Sequence, residues 1–176
     1  MNWMTILMVI GAVAMNSGTP SESSQSNRKT EQVVRKGSFE LETSADRAFQ
    51  FFTPEGEKTW VKGWNPISIY PPQAAVEFKT NSVFRVDQEG ERSLWTIVEA
   101  NLQEHIAEYI YVVEGERLSR VRVRIQPLSE GRCRVSVHYV HTATSEKGVQ
   151  FVLTVTEGSY AQKMKDWQHM VSVSIR

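Results

Sequence analysis

Between Ser82 and Val140 the chain alternates between runs of β-branched and aromatic residues and short polar breaks. The runs fall at Val83 to Val86, Ser93 to Ala100, Ile106 to Val113, Val121 to Ile125 and Arg134 to Val140. Runs of this kind, bounded by turn residues, predict strands, and their close succession predicts an antiparallel meander. Gly90, Gly115 and Gly131 lie in the breaks, where a tight reversal calls for positive φ. Two runs alternate strictly. Val121, Val123 and Ile125 oppose Arg120, Arg122 and Arg124, while Cys133, Val135, Val137 and Tyr139 oppose Arg134, Ser136 and His138. A period of two places one face of the sheet in the core and the other in water.

After Gly148 the period becomes helical. Val152, Thr156, Tyr160, Met164 or Lys163, Trp167, Val171 and Ile175 form one stripe, predicting a single amphipathic helix from Val149 to about Ile175. Such a helix is about 40 Å long, enough to cross a small sheet. Gly158 in its interior costs about 1 kcal/mol against alanine. Close approach of another backbone, a bend, room for a ligand and simple tolerance each account for it.

Upstream, Val33 to Leu41 offers a first strand. A short helix follows, capped by Thr43 or Ser44 and carrying Ala45, Ala48, Phe49 and Phe52 on one side, until Pro54 ends it. A second short helix opens at Thr53 and Pro54 and brings Trp60 and Val61 together. Gly63, Pro66 and the Pro71-Pro72 pair then confine Ile67 to Tyr70 to a short or edge strand.

Before the first strand the pattern is of another kind. Trp3 to Met15 is an apolar run too short to span a bilayer, and Ala12-Val13-Ala14 supplies the small-x-small pattern of a signal-peptidase site. Residues 1–16 are therefore expected to be a signal peptide or hydrophobic leader. If the leader is cleaved the protein is periplasmic or extracellular; otherwise it is cytoplasmic or membrane-anchored. The absence of a basic residue before Arg28 argues against export, and no cysteine near the run supports a lipid anchor. Residues 17–35 read as a flexible polar linker and 36–176 as one folded domain.

Composition narrows the function classes. The 176 residues carry 20 Lys plus Arg against 20 Asp plus Glu, so no net field attracts nucleic acid. The sole cysteine, Cys133, has no partner for a disulfide, a redox pair or a zinc site, and is expected to be a small buried side chain. No Gly-x-Ser-x-Gly, Gly-rich phosphate loop or Cys-His spacing supports a hydrolase or a nucleotide enzyme.

The stretch Phe51-Phe52-Thr53-Pro54-Glu55-Gly56-Glu57-Lys58-Thr59-Trp60-Val61-Lys62-Gly63-Trp64-Asn65-Pro66, with Leu94-Trp95-Thr96-Ile97-Val98 and Thr156-Glu157-Gly158-Ser159-Tyr160, resembles a bacterial branch of the SRPBCC superfamily, also called START-like or Bet v 1-like. The likeness spans about Lys36 to Ile175. It implies an α+β helix-grip fold: a curved antiparallel sheet with two short helices and a long C-terminal helix. It also implies a cavity between sheet and helix, used across the superfamily for lipids, polyketides and other apolar molecules. No residue matches a family catalytic motif.

Candidate cavity-wall residues are the aromatic side chains Trp60, Trp64, Phe84, Trp95, Tyr109, Tyr111, Tyr139, Tyr160 and Trp167, each of which is also an ordinary core residue. The hydroxyls of Tyr109, Tyr111 or Tyr139 could orient a ligand carbonyl. His138 is expected on the wet face. His141 shares the parity of Tyr139 but is expected to serve a surface or capping role, and the two histidines point to opposite faces, so no metal site is assigned. Glu99, Glu104 and Glu108 are expected to be solvated. Arg117, Arg120, Arg122, Arg124, Arg132 and Arg134 are expected to form a solvated face, or else a basic patch for an anionic surface or partner. The leading functional expectation is noncatalytic binding or carriage of a small apolar molecule, lipid or polyketide-like. It involves no cofactor, no catalytic residue and no nucleic acid, and membrane contact only through the leader. The alternatives are a polyketide cyclase/dehydratase-like enzyme using the same cavity, and a protein- or surface-interaction module.

Overall fold

The computed structural model describes residues 31–88 and 90–175. The expected leader and most of the expected linker lie outside the described residues. Seven strands form one antiparallel sheet: β1 (Gln32–Leu41), β2 (Pro66–Tyr70), β3 (Val83–Gln88), β4 (Glu91–Asn101), β5 (Ile106–Val113), β6 (Arg117–Ser129) and β7 (Arg132–Ala143), in the order β1-β7-β6-β5-β4-β3-β2. The meander is as expected, with β1 returned to the far edge beside β7. β1 begins at Gln32, within the stretch read as linker, and Gln32 pairs with Thr142. Register shifts between Ile97 and Glu99 in β4 and between Pro127 and Ser129 in β6 are the irregularities that bend a sheet around its contents.

β6 and β7 are longer than their apolar runs, at 13 and 12 residues. Hydrophobic alternation marks only the half-buried middle of a strand, whereas backbone pairing continues through polar residues such as Arg117 opposite Ala143 and Gln126 opposite Arg134. Gly90 and Gly115 adopt positive φ in their hairpins as expected, at 82° and 68°, whereas Gly131 does not.

Helix α1 (Ala45–Gln50) is capped by Ser44, whose Oγ accepts from the Arg47 amide at 3.3 Å. Ala45, Ala48 and Phe49 are its buried face. The expected second helix is a single 3-10 turn, Gly56–Thr59. Thr53 organises its start, with Oγ1 accepting from the Gly56 amide at 3.1 Å.

The C-terminal segment is not one continuous helix. It forms α2 (Glu146–Thr154) and α3 (Glu157–Ile175), parted at Val155 and Thr156. Two threonines cause the break by competing for backbone partners. Thr154 Oγ1 donates to the Phe151 carbonyl at 2.7 Å, and Thr156 Oγ1 accepts from the Ser159 amide at 3.1 Å, which makes it the cap of α3. The long helix therefore has 19 residues and a length of about 28 Å rather than about 40 Å. Gly158 lies in the first turn of α3, and a Cβ there would meet nothing nearer than Thr156 Oγ1 at 3.9 Å, so neither backbone approach nor a bend explains it.

Helix α3 packs chiefly on β1, α2 on β7 and α1 under β6 and β7. The seat of α3 is Gly37, where an added Cβ would lie 2.7 Å from Met164 Cγ and 3.0 Å from a ring carbon of Tyr160. No helix among the described residues is long and apolar enough to cross a membrane.

Candidate ligand cavity

Because α3 rests on the sheet edge at β1, it stands away from the middle strands, and a cavity of about 510 Å³ lies between them. Trp64, Phe84, Trp95, Tyr109, Tyr111, Tyr139 and Trp167, all expected wall residues, line it, together with Val121 and Val123 of β6. The rings brace one another. Trp95 stacks on Tyr111 at 4.1 Å between centroids and on Phe84 at 5.8 Å, and Trp64 meets the edge of Trp95 at 5.3 Å. Both indole N–H groups are satisfied within the fold: Trp64 Nε1 donates to the Pro54 carbonyl at 2.8 Å and Trp95 Nε1 to Ser93 Oγ at 2.8 Å.

The two remaining aromatic candidates are placed elsewhere. Trp60 is buried against Phe52 and Trp167, with Nε1 donating to the Phe51 carbonyl at 2.7 Å. Tyr160 donates to the Val137 carbonyl at 3.1 Å and faces the groove beside β1. Alternation and helical period give a residue's face, but not whether neighbours fill the space before it.

The three tyrosines of the sheet differ in what their hydroxyls are free to do. Tyr109 donates to the Phe52 carbonyl at 2.7 Å. Tyr111 is engaged by Ser119 and Arg117. Tyr139 makes no hydrogen bond among the described residues, and its ring lines the cavity. Burial raises all three phenols above their ordinary value, so they are neutral donors and acceptors.

Three ionisable groups absent from the sequence-based candidates also line the cavity: Glu57 from the 3-10 turn, Glu91 from the start of β4, which is paired with Arg117 at 2.7 Å, and Lys163 from α3. Burial pushes the Glu57 carboxyl up to about 8, against the opposing pull of Lys163. Burial lowers the Lys163 ammonium, with Arg117 adding to the effect and Glu57 opposing it. Lys163 Nζ lies 4.8 Å from the Tyr139 ring centroid and 5.5 Å from that of Trp167. A lysine within an apolar helical stripe, beside Met164, was a signal for this position. Glu57 carried none, since within the short helix read from Thr53 and Pro54 it is one charged residue among Glu55, Glu57 and Lys58.

Outside the cavity the polar expectations divide. Arg120 and Arg122 both bind Glu108, and Arg122 also binds Glu99 at 2.7 Å. Arg134 and Arg132 bind Glu40, the former at 2.8 Å. Four of the outer arginines are thus ion-paired, while Arg124 is exposed and has no ion pair among the described residues. Glu108, expected to be solvated, is only 1% exposed because those two arginines cover it. Burial alone would raise its carboxyl, but the hydrogen bonds from Arg120 and Arg122 prevail and hold it below the usual range. Arg117, grouped with the wet face, is 4% exposed and turned inward, bound by Glu116 and by Glu91 at 2.7 Å, with its guanidinium 3.9 Å from the Phe151 ring centroid.

His141, expected at the surface, is 3% exposed. Its Nδ1 shares a 2.8 Å hydrogen bond with Ser119 Oγ, and its ring stacks on Tyr139 at 5.0 Å. Burial, then Lys163 and Arg117, lower it to about 4. His138 points the other way, half-buried on the outer face. Cys133 is fully buried. Among the described residues no cluster of His, Cys, Asp and Glu is placed to hold a metal ion.

No protein-family model matches the sequence, and no curated protein matches it. Solved structures do match in shape. Norcoclaurine synthase from Thalictrum flavum, in complex with dopamine and hydroxybenzaldehyde, superposes with a TM-score of 0.58 at 12% identity over 94% of this chain and 95% of its own. The hypothetical protein jhp0584 from Helicobacter pylori gives 0.63 at 12% identity, over 94% and 100%. Ara h 8.0201 gives 0.56 at 9% identity, over 82% and 95%. At these identities the likeness concerns architecture. The curved sheet, the short helices, the C-terminal helix and these neighbours together establish a Bet v 1-like helix-grip fold for this chain.

Proposed function

We propose that the protein binds and carries a small, largely apolar molecule in the cavity between its sheet and α3. The observation that supports this reading most directly is the unfilled space of about 510 Å³ walled by seven aromatic rings, within the ~300–1,000 Å³ of small-molecule sites. A guest that buries about 200 Å² of apolar surface there gains roughly 5 kcal/mol before the costs of immobilisation. The arginines of the outer face support an interaction module less well, since four of them are already engaged by Glu40, Glu99 and Glu108. The apolar leader accords with carriage outside the cytoplasm, which N-terminal sequencing of the mature protein tests. Native mass spectrometry of purified protein, with solvent extraction, tests the binding reading itself. A co-purified apolar molecule supports it; an empty protein that also fails to take up Nile red rejects it.

One observation favours a second reading. Cyclase- or dehydratase-like chemistry needs an acid or base turned inward, and Glu57 is a cavity carboxyl protonated at neutral pH. Turnover of a polyketide mimic that is lost in Glu57→Gln while Nile red uptake persists would establish it.

A further inference from the structure

The cavity contains two ionisable side chains that the fold leaves without partners. Among the described residues, neither the Glu57 carboxyl nor the Lys163 ammonium makes a hydrogen bond or ion pair with protein. The carboxylates of Glu40, Glu91, Glu99, Glu108 and Glu116 are all paired with arginine. Glu57 is half-buried in the cavity wall and Lys163 reaches the cavity from the solvent-facing side of α3, so both are free to meet a polar group that arrives with a ligand.

The chemistry of that group follows from what the cavity offers. Lys163 contributes a cation, held over the faces of Tyr139 and Trp167. Glu57 at neutral pH contributes an O–H, and Tyr139 another. The other charges nearby cancel: Arg117 is met by Glu91 and Glu116, and Glu116 also binds Lys147 at 2.7 Å. What remains is one uncompensated positive charge flanked by two donors, which complements a compact anion with two acceptor oxygens.

We propose that the cavity is a receptor for small carboxylic acids with an aromatic or aliphatic body, whose carboxylate pairs with Lys163 and accepts hydrogen bonds from Glu57 and Tyr139. This rests on the binding reading and specifies the ligand class. The apolar body lies along the rings of Trp95, Tyr111 and Phe84. Binding is also pH-linked. Above about 8 Glu57 ionises and repels the ligand's carboxylate. Lys163, whose ammonium is itself lowered, weakens binding in the same direction as pH rises, while Tyr109, Tyr111 and Tyr139 of the sheet stay neutral, Arg117 stays charged, and His141 behind Tyr139 is uncharged above about 4.

The test compares 2-naphthoic acid with 2-naphthylmethanol, binding to the full chain being followed by tryptophan quenching. At pH 6.5 the acid binds about tenfold tighter than the alcohol. Lys163→Met abolishes that preference, and Lys163→Arg retains it. The preference declines as pH rises through about 8 in the parent protein, and the decline is shallower in Glu57→Gln, where only Lys163 titrates. Equal affinity for acid and alcohol, or a preference that survives Lys163→Met, overturns the inference and leaves the cavity-binding reading standing. Failure of acid, alcohol and Nile red alike overturns both.

Discussion

The hydroxyl of Tyr109, on the fifth strand, donates to the backbone carbonyl of Phe52 just beyond α1, 2.7 Å away and 57 residues back in the chain. The bond fastens the short helices across the mouth of the sheet, and it commits that hydroxyl to the fold. Tyr109→Phe is therefore expected to cost about 1–2 kcal/mol, through the lost bond and the orphaned carbonyl. Tyr139→Phe, which removes a hydroxyl without a protein partner, is expected to leave stability within about 0.5 kcal/mol and to weaken carboxylate binding about fivefold. Urea unfolding and the naphthoate titration separate the two.

Two glycines of the C-terminal region should respond in opposite ways. A Cβ on Gly148, in the first turn of α2, would lie 1.9 Å from the Glu116 carbonyl oxygen and 3.1 Å from Ala143 Cα, with only backbone available to yield. Gly148→Ala is expected to destabilise by more than about 3 kcal/mol. Gly158 faces open space in the first turn of α3, so Gly158→Ala should stabilise by up to about 1 kcal/mol. Paired denaturation curves check both.

Stability should fall on the acid side for two identifiable reasons. The folded His141 is lowered to about 4 from 6.5, so the unfolded chain binds the extra proton between those values; its contribution is complete above about 6.5 and disappears as pH falls through about 4. Glu108 is also lowered, and its contribution is present above about 4.5 and disappears as pH falls through the folded value. His141→Gln should flatten the decline between pH 6.5 and 4 and leave the lower limb set by Glu108. Unfolding midpoints measured across pH 3.5 to 7.5 distinguish the two limbs.

Glu57 acts with the opposite sign. Its folded carboxyl is raised from 4.5 to about 8, so its contribution is complete below about 4.5 and disappears as pH rises through about 8. Glu57→Gln should match the parent at pH 4.5 and become progressively more stable up to about pH 8, then level off. A constant offset at all pH values would show that the carboxyl is solvated.

The strands were legible because one face of each is apolar, and the inward parity of Val121, Val123 and Tyr139 carried over directly to the cavity wall. The break at Val155 and Thr156 was not, since Thr156 satisfies the helical stripe as well as it serves as a cap. Glu108 and Arg117 were misplaced for a related reason: composition marks them as solvated, and only the register that brings Arg120 and Arg122 beside Glu108 reveals their pairing. Glu57 was hidden because its environment is built by Lys163, Tyr109 and Tyr139, all far away in sequence.

Gly37 sets the clearance between lid and floor. With no side chain there, Met164 and Tyr160 settle onto the strand backbone, and this close approach at the sheet's margin helps to set the height of the closing helix. Bulk at position 37 would act as a shim, lifting the lid and deepening the chamber while leaving every residue of its lining unchanged. The size of guest that fits is thus governed from a site that no guest touches.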